Sequence, residues 1–261
     1  MGGSPIPAFA PRTSWKDFFQ GLWLPFSAVK VIVGSPRLRV LSALCSLVTL
    51  AALVALVWAL SHWIGDWVSL VVARPEHWWG RVLWYVLASL VYVVLLVAGA
   101  YTLPLMALAP LQDPLSTATE AACGEFATPS FSLARALRET GVALSHTAAR
   151  VLLLWVGQAV LLLLNLIPGA GHVAWIVAST LWTMAWLAVE YLDSPMTRHR
   201  YSFRDVRRVV WKRLTLSLGF GAALYLLLWI PILNFFLIPL AVVGGTLLFR
   251  GLRAAGALGD G

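Results

Sequence analysis

Two runs of the chain, Val40 to Leu60 and Val82 to Leu111, hold 21 and 30 residues without a single Lys, Arg, Asp or Glu. At 1.5 Å per residue each can cross a hydrocarbon core of about 30 Å, so the pattern predicts two long transmembrane helices. Further on, apolar arms come in pairs around uncharged turns. Val151 to Ile167 and His172 to Val189 flank Ile167-Pro168-Gly169-Ala170-Gly171, while Thr215 to Trp229 and Phe235 to Phe249 flank Ile230-Pro231-Ile232-Leu233-Asn234. Arms of roughly 15 to 18 residues reach about 22 to 27 Å, which barely spans. Turns without charge show no preference for water, so the residues leave re-entrant hairpins and complete crossings equally open. Irregular backbone at such depth must be buried in protein or line a wet cavity.

The polar positions predict shorter surface helices. Trp15, Phe18, Phe19, Leu22, Trp23 and Phe26 follow the spacing of one helical face, with Lys16, Asp17 and Gln20 elsewhere, Ser14 and Asp17 forming a capping box, and Pro25 a source of a kink. That segment suits the cytoplasmic interface. A second amphipathic helix is expected from Ser202, capped reciprocally with Asp205. It carries Phe203, Val206 and Val210 on one side and Arg204, Arg207, Arg208, Lys212 and Arg213 on the other, the basic side suiting anionic lipid headgroups. Between Asp113 and Arg150, the charges Glu120, Glu125, Arg135, Arg138 and Glu139 amid apolar residues read as cytoplasmic or interfacial helix. The two hairpins, each preceded by a charged helix, form a weak repeat of parallel sense.

Composition agrees with a multi-pass membrane protein: 60% of the 261 residues are hydrophobic, 11% are charged, and mean hydropathy is +0.83. The net charge of +8 changes the picture only through its distribution. The loop after the first run has Asp66, Arg74, Glu76 and Arg81, which cancel, and the other 17 of the 19 Lys and Arg residues flank the remaining apolar segments. The positive-inside rule therefore puts both termini and the bases of both hairpins in the cytoplasm. Trp58, Trp63, Trp67, Trp78, Trp79 and Trp84 surround the neutral loop as an outer interfacial belt. Gly2 to Pro11 has no apolar core for a cleaved signal peptide. Cys45 and Cys123 lack metal-ligand spacing and read as free packing cysteines. No nucleophile and base pattern, metal motif or phosphate-binding glycine loop points to an enzyme, a cofactor or nucleic-acid binding.

Tyr191-Leu192-Asp193-Ser194-Pro195, Ser202-Phe203-Arg204, Leu218-Gly219-Phe220-Gly221, Ile230-Pro231-Ile232-Leu233-Asn234 and Pro239-Leu240-Ala241-Val242-Val243-Gly244-Gly245-Thr246 occur in that order. Upstream stand Ser35-Pro36-Arg37-Leu38-Arg39, Ala109-Pro110-Leu111 with Glu120, and the first tip. Over about residues 14 to 250 this set resembles the etoposide-induced protein family, whose bacterial branch includes the CysZ sulfate permeases. The resemblance implies long transmembrane helices with partially penetrating hairpins, a homo-oligomer in the bacterial inner membrane, and passage of sulfate into the cytoplasm for assimilation. A Gly-Leu/Ile-Arg motif of that branch aligns with Arg37, Leu38 and Arg39, where Arg37 replaces the glycine and Val40 a following arginine. Asp113 fits the wider family, where the permease branch has glycine.

The chemistry of an oxyanion path follows from backbone and neutral donors. Pro36 at a helix start sets unpaired N–H groups beside Arg37 and Arg39, a combination that binds an oxyanion or simply anchors the first span. Re-entrant tips would aim the positive ends of helices starting near Gly171 and Asn234 into the bilayer, with Pro168, Gly169 and Pro231 shaping the turns and Asn234 offering an amide. Asn165, Thr180, Thr183 and Thr246 are the neutral polar residues of the arms, serving conduction or packing. Glu190 either snorkels to the cytoplasmic interface or pairs inside the bundle; Asp193 caps the next segment, pairs with Arg198 or Arg200, or gates; His172 packs or responds to protons.

The expectation is thus an all-α, multi-pass membrane protein. It has a disordered cytoplasmic tail at 1–13, one membrane domain at 14–250 and a second tail at 251–261. Its function is passage of sulfate or a related oxyanion, with a structural or partner-binding membrane protein of the same family as the alternative.

Overall fold

The computed structural model describes residues 9, 14–124, 148 and 150–258, for residues 101, 105, 109, 110 and 231–235 the backbone path alone. Glu125, Arg135, Arg138 and Glu139 lie outside the described residues, as does the expected N-terminal tail except Phe9, which is buried. The described residues form helices and no strand. In order they are α1 (Lys16–Gly34), α2 (Pro36–Val71), α3 (Trp78–Ala122), α4 (Arg150–Leu166), α5 (Gly171–Arg198), α6 (Phe203–Lys212), α7 (Leu214–Leu228) and α8 (Pro231–Ala254). The last turn of α4, Leu163–Leu166, tightens to a 3₁₀ helix. Four stretches are long and apolar enough to cross a membrane: Pro36–Val71, Trp78–Leu108, Gly171–Arg198 and Phe236–Ala254. Contacts gather the chain into two compact units, one of residues 47–108 and one of residues 1–46 with 109–261.

The smaller unit is an antiparallel pair formed by α2 and α3. Gly99 faces Leu56 while Val68, Trp84 and Ala88 pack together near the turn, so advancing along one helix means retreating along the other. The charged loop is shorter than its charges suggest. Helix continues through Asp66 to Val71 and resumes at Trp78 ahead of Arg81, because Ile64, Val68, Leu87 and Val91 supply helical-period contacts beyond the uncharged runs. Five of the six belt tryptophans are exposed, but Trp84 is buried. Its indole N–H donates to the Val72 carbonyl at 3.0 Å, and the Arg74 guanidinium lies 4.9 Å above its ring.

The larger unit is built around α7 and α8. Apolar side chains fill its centre: Phe220, Leu224, Leu247, Leu248 and Phe249 are fully buried. Helix α7 touches its neighbours backbone to backbone. A Cβ on Gly219 would fall on the Phe18 carbonyl of α1, and one on Gly221 on the Met184 carbonyl of α5. Such close approach is how helices associate where lipid removes the hydrophobic driving force.

Helix α1 forms as expected and presents the side away from its aromatic stripe to the protein. Asp17, Gly21, Leu24, Pro25 and Ala28 are buried, while Trp15, Phe19, Trp23 and Phe26 are exposed. Small residues allow α1 to seat on α7, and the aromatic stripe is left for the apolar surroundings. Its cap is half the expected box: the Asp17 carboxylate accepts from the Ser14 N–H at 3.1 Å, but the Ser14 hydroxyl accepts from Lys16.

The two hairpins run in the same sense. Tyr191 of α5 lies against Gly245 of α8 and His199 stacks on Phe249 at 4.9 Å, so the second arms run parallel, with their charged bases together. From those contacts back to the turns are about 20 residues of α5 and about 14 of α8. At 1.5 Å per residue the first tip reaches about 9 Å further than the second. Both second arms exceed their expected lengths. Helix α5 carries on through Asp193 and Pro195, and α8 starts at Pro231 rather than beyond Asn234, since proline's fixed φ and missing N–H suit a helix's first position. The second turn is therefore only Trp229 and Ile230.

Candidate functional site at the hairpin bases

Ionisable side chains meet where α3, α4, α5 and α8 come together. On α3, Asp113, Ser116 and Glu120 fall at i, i+3 and i+7, which puts them on one face. Arg198 reaches that face from the end of α5, donating to Glu120 at 2.7 Å and to Asp113 at 2.9 Å, and His199 stands 3.3 Å from the other Glu120 oxygen. The Ser194 hydroxyl donates to Asp113 at 3.5 Å, and Ser116 shares a hydrogen bond of 2.8 Å with Thr246 of α8. Arg250 of α8 donates to the Cys123 carbonyl at 3.2 Å. Glu120 is 1% exposed, so the Arg198 guanidinium and the His199 ring take the place of the water it gives up.

A second cluster holds α4 on α5. Arg150 pairs with Asp193 and, at 3.7 Å, with Glu190, whose side chain is 1% exposed. One guanidinium serves two carboxylates three residues apart on one helix. Higher up, the Gln158 amide donates to the Thr183 hydroxyl at 2.7 Å and to the Ser179 carbonyl at 3.3 Å. On the far side of the unit, buried Arg213 faces buried Asp17 at 3.8 Å, joining α1 to the start of α7.

Several residues singled out by sequence stand elsewhere than expected. Glu190 does not snorkel outward but pairs within the bundle. Asp193 lies inside α5 rather than at a helix start, and it pairs with Arg150 of α4, while Arg198 turns to Asp113 and Glu120. Glu120 is a buried acceptor. Arg213 leaves the basic side of α6, which ends at Lys212, for Asp17. Arg37 and Arg39 do sit in the first turn of α2 after Ser35 and Pro36, with the Leu38 N–H donating to the Ser35 hydroxyl at 3.5 Å. Two residues apart, they leave the helix about 200° from one another. Arg37 is partly covered and Arg39 exposed.

At the first tip, Pro168 and Gly169 make the turn, Gly169 with φ of +79°. The Gly171 N–H donates to the Ile167 carbonyl at 3.2 Å, which takes one donor of α5's start away from any anion. His172 bonds Asn165 at 3.0 Å across the tip. Pro231 and Asn234 belong to α8's first turn by backbone, and the Asn234 side chain lies outside the described residues. Thr183 and Thr246 are engaged in packing bonds; Thr246 also donates to the Val242 carbonyl. Cys45 is buried and Cys123 half-buried, and neither is in a disulfide. Sequence reasoning left out Arg150 and the pairing of Asp113 and Glu120 with Arg198. The i, i+7 spacing of the two α3 carboxylates was the available signal.

The cap of α6 is the full reciprocal box. The Ser202 hydroxyl accepts from the Asp205 N–H at 3.3 Å, and the Asp205 carboxylate accepts from the Ser202 hydroxyl at 2.5 Å and the Ser202 N–H at 3.0 Å. These bonds, the hydroxyl's first, hold the Asp205 carboxyl below its ordinary 3.8. A depressed native value means the cap's contribution is complete above 3.8 and is lost as pH falls through the native value. Amide exchange in the first turn of α6 should therefore speed up only in that acid range, after correction for intrinsic exchange. Ser202→Ala should shrink that pH dependence to the part carried by the backbone N–H.

A family model described as Sulfate transporter CysZ/Etoposide-induced protein 2.4 matches residues 24–239, from the middle of α1 into α8.

Proposed function

Because this chain belongs to the CysZ/etoposide-induced protein 2.4 family, we infer that it is a permease or channel for sulfate or a related oxyanion, delivering it to the cytoplasm for sulfur assimilation. The family match is the observation that carries this reading. Physical support comes from the tips. Leu166, Ile167, Trp229 and Ile230 are all exposed at turns without charge, an arrangement that suits immersion in the bilayer rather than contact with water. Immersed tips make the hairpins re-entrant. The positive ends of α5 and α8 then face the membrane interior, while Arg37 and Arg39 offer an oxyanion site at the start of α2. Glu190 and Asp193, held by Arg150, form the cytoplasmic gate in this reading. It carries with it a bacterial inner-membrane location, cytoplasmic termini and a homo-oligomer, and it excludes catalysis.

A second reading, a structural or partner-binding membrane protein, is favoured by Asp113. Where the permease branch has glycine, this carboxylate accepts from Arg198 and Ser194 and helps tie α3 to α5. Purified protein in liposomes should separate the two. Labelled sulfate is expected to cross in a protein-dependent way that excess unlabelled sulfate suppresses more than chloride or phosphate does. No flux under any gradient would leave only the structural reading. Replacing Arg37 and Arg39 together by Gln should weaken sulfate binding about tenfold, the worth of a charged hydrogen bond, with insertion intact. Unchanged binding would remove this site.

A further inference from the structure

Among the described residues, the acidic side chain that meets the basic side of α6 is Asp205, of α6 itself. Val206, Val209 and Val210 are buried against the larger unit, and Phe203 leans on Trp186 with ring centroids 6.5 Å apart. The opposite face presents Arg204, Arg207, Arg208 and Trp211 at i, i+3, i+4 and i+7, with Lys212 beside them, all exposed. The single acid of the helix, Asp205, is committed to the cap and lies 3.6 Å from Arg208. Four cations thus stand over one engaged carboxylate. Helix α6 is also tied closely to apolar helices, by residues 199–202 after α5 and by Arg213 alone before α7. Such short links keep it at the level where those helices leave the membrane. Trp211, 57% exposed among the cations, fits that depth, because an indole prefers the boundary between headgroups and acyl chains.

We propose that this face of α6 binds the headgroups of anionic phospholipids in the membrane the protein occupies. Charge complementarity supplies the attraction. The anionic leaflet lies on the cytoplasmic side, where the positive-inside rule puts the hairpin bases, and each nearby Lys or Arg strengthens association about fivefold. A nucleic acid would offer phosphates too, but its approach needs a helix that stands clear in water, and the links on either side of α6 are too short for that. A bilayer reads the charge of the face rather than the geometry of each guanidinium.

The test uses the full chain in nanodiscs of equal phosphatidylcholine and phosphatidylglycerol, with the lipids retained on the released protein counted by native mass spectrometry. Wild type should retain phosphatidylglycerol several-fold above its share of the bilayer, and R204Q/R207Q/R208Q/K212Q should lose at least fivefold of that enrichment. Salt at about 0.5 M in the nanodisc sample should erase the difference. Equal enrichment in the glutamine variant, or enrichment indifferent to salt, overturns the proposal. Displacement of the lipid by inorganic phosphate would identify a soluble-oxyanion site instead, and displacement by an RNA oligomer a nucleic-acid surface; either overturns it. Should the glutamine variant fail to insert, R204K/R207K/R208K decides. Keeping the charge should keep the enrichment, and losing it would refute recognition by a charged bilayer.

Discussion

Replacing Arg150 with alanine is expected to cost about 3–5 kcal/mol of folding stability, the penalty for stranding a buried charge after its partner is removed. The guanidinium holds Asp193 and Glu190 together, and Glu190 is 1% exposed on a helix apolar enough to span. Without Arg150 the two carboxylates, three residues apart on α5, would repel each other with no cation of α4 between them. Unfolding in mixed micelles by graded SDS measures the loss. The companion variant R150M/E190L/D193L removes all three charges at similar volume and should be neutral or gain about 1–4 kcal/mol. If R150A instead loses less than about 1 kcal/mol, the pair is not holding α4 on α5.

The second large effect belongs to Gly219. A Cβ there meets the carbonyl oxygen, carbonyl carbon and Cα of Phe18, all backbone, so no side chain can turn aside to admit it. Gly219→Val should cost at least about 1–3 kcal/mol, the usual range for overpacking, and should loosen α1 from α7. The control is Gly34→Val at the end of α1, where no atom lies within 4 Å of the new Cβ. Its stability should change by no more than the roughly 0.5 kcal/mol expected of open surface positions, leaving the melting temperature nearly that of wild type. Proteolysis of the N-terminal segment reports the loosening directly. Equal melting temperatures for the two variants would show that α1 does not need close approach.

Helix existence was legible wherever apolar runs were long, because membrane spanning is a matter of length and transfer energy that the sequence states outright. Orientation of a face was less so. The spacing of Trp15, Phe19, Trp23 and Phe26 identifies a stripe but not the side it faces, and in a lipid setting the larger aromatics can be the exterior while glycine and alanine form the contact. Pro231 misleads for a related reason: in a tip it signals a turn, yet it also opens a helix. The ion pairs between helices were hidden because their members are far apart in the chain, 43 residues for Arg150 and Asp193 and 85 for Arg198 and Asp113. Local spacing can mark Asp113 and Glu120 as sharing a face, but only the packing of α5 on α3 shows which arginine answers them. Of the oxyanion residues, Pro36 lies at the helix start that its sequence context suggests. The diverging directions of Arg37 and Arg39 follow from helical geometry once that start is fixed.

The pairing of buried Asp17 with buried Arg213 has a consequence for how the molecule comes into being. The two residues are separated by about 200 positions, and at about 5–20 residues per second the ribosome needs roughly 10 to 40 seconds to make the second after the first. For most of that interval α1 is outside the tunnel with its glycine face and its carboxylate unmatched. The first of the described helices to be synthesised is therefore among the last to be seated. A chain stopped short of α7 would carry an N-terminal segment with nowhere to dock, open to the proteases that survey unfinished membrane proteins.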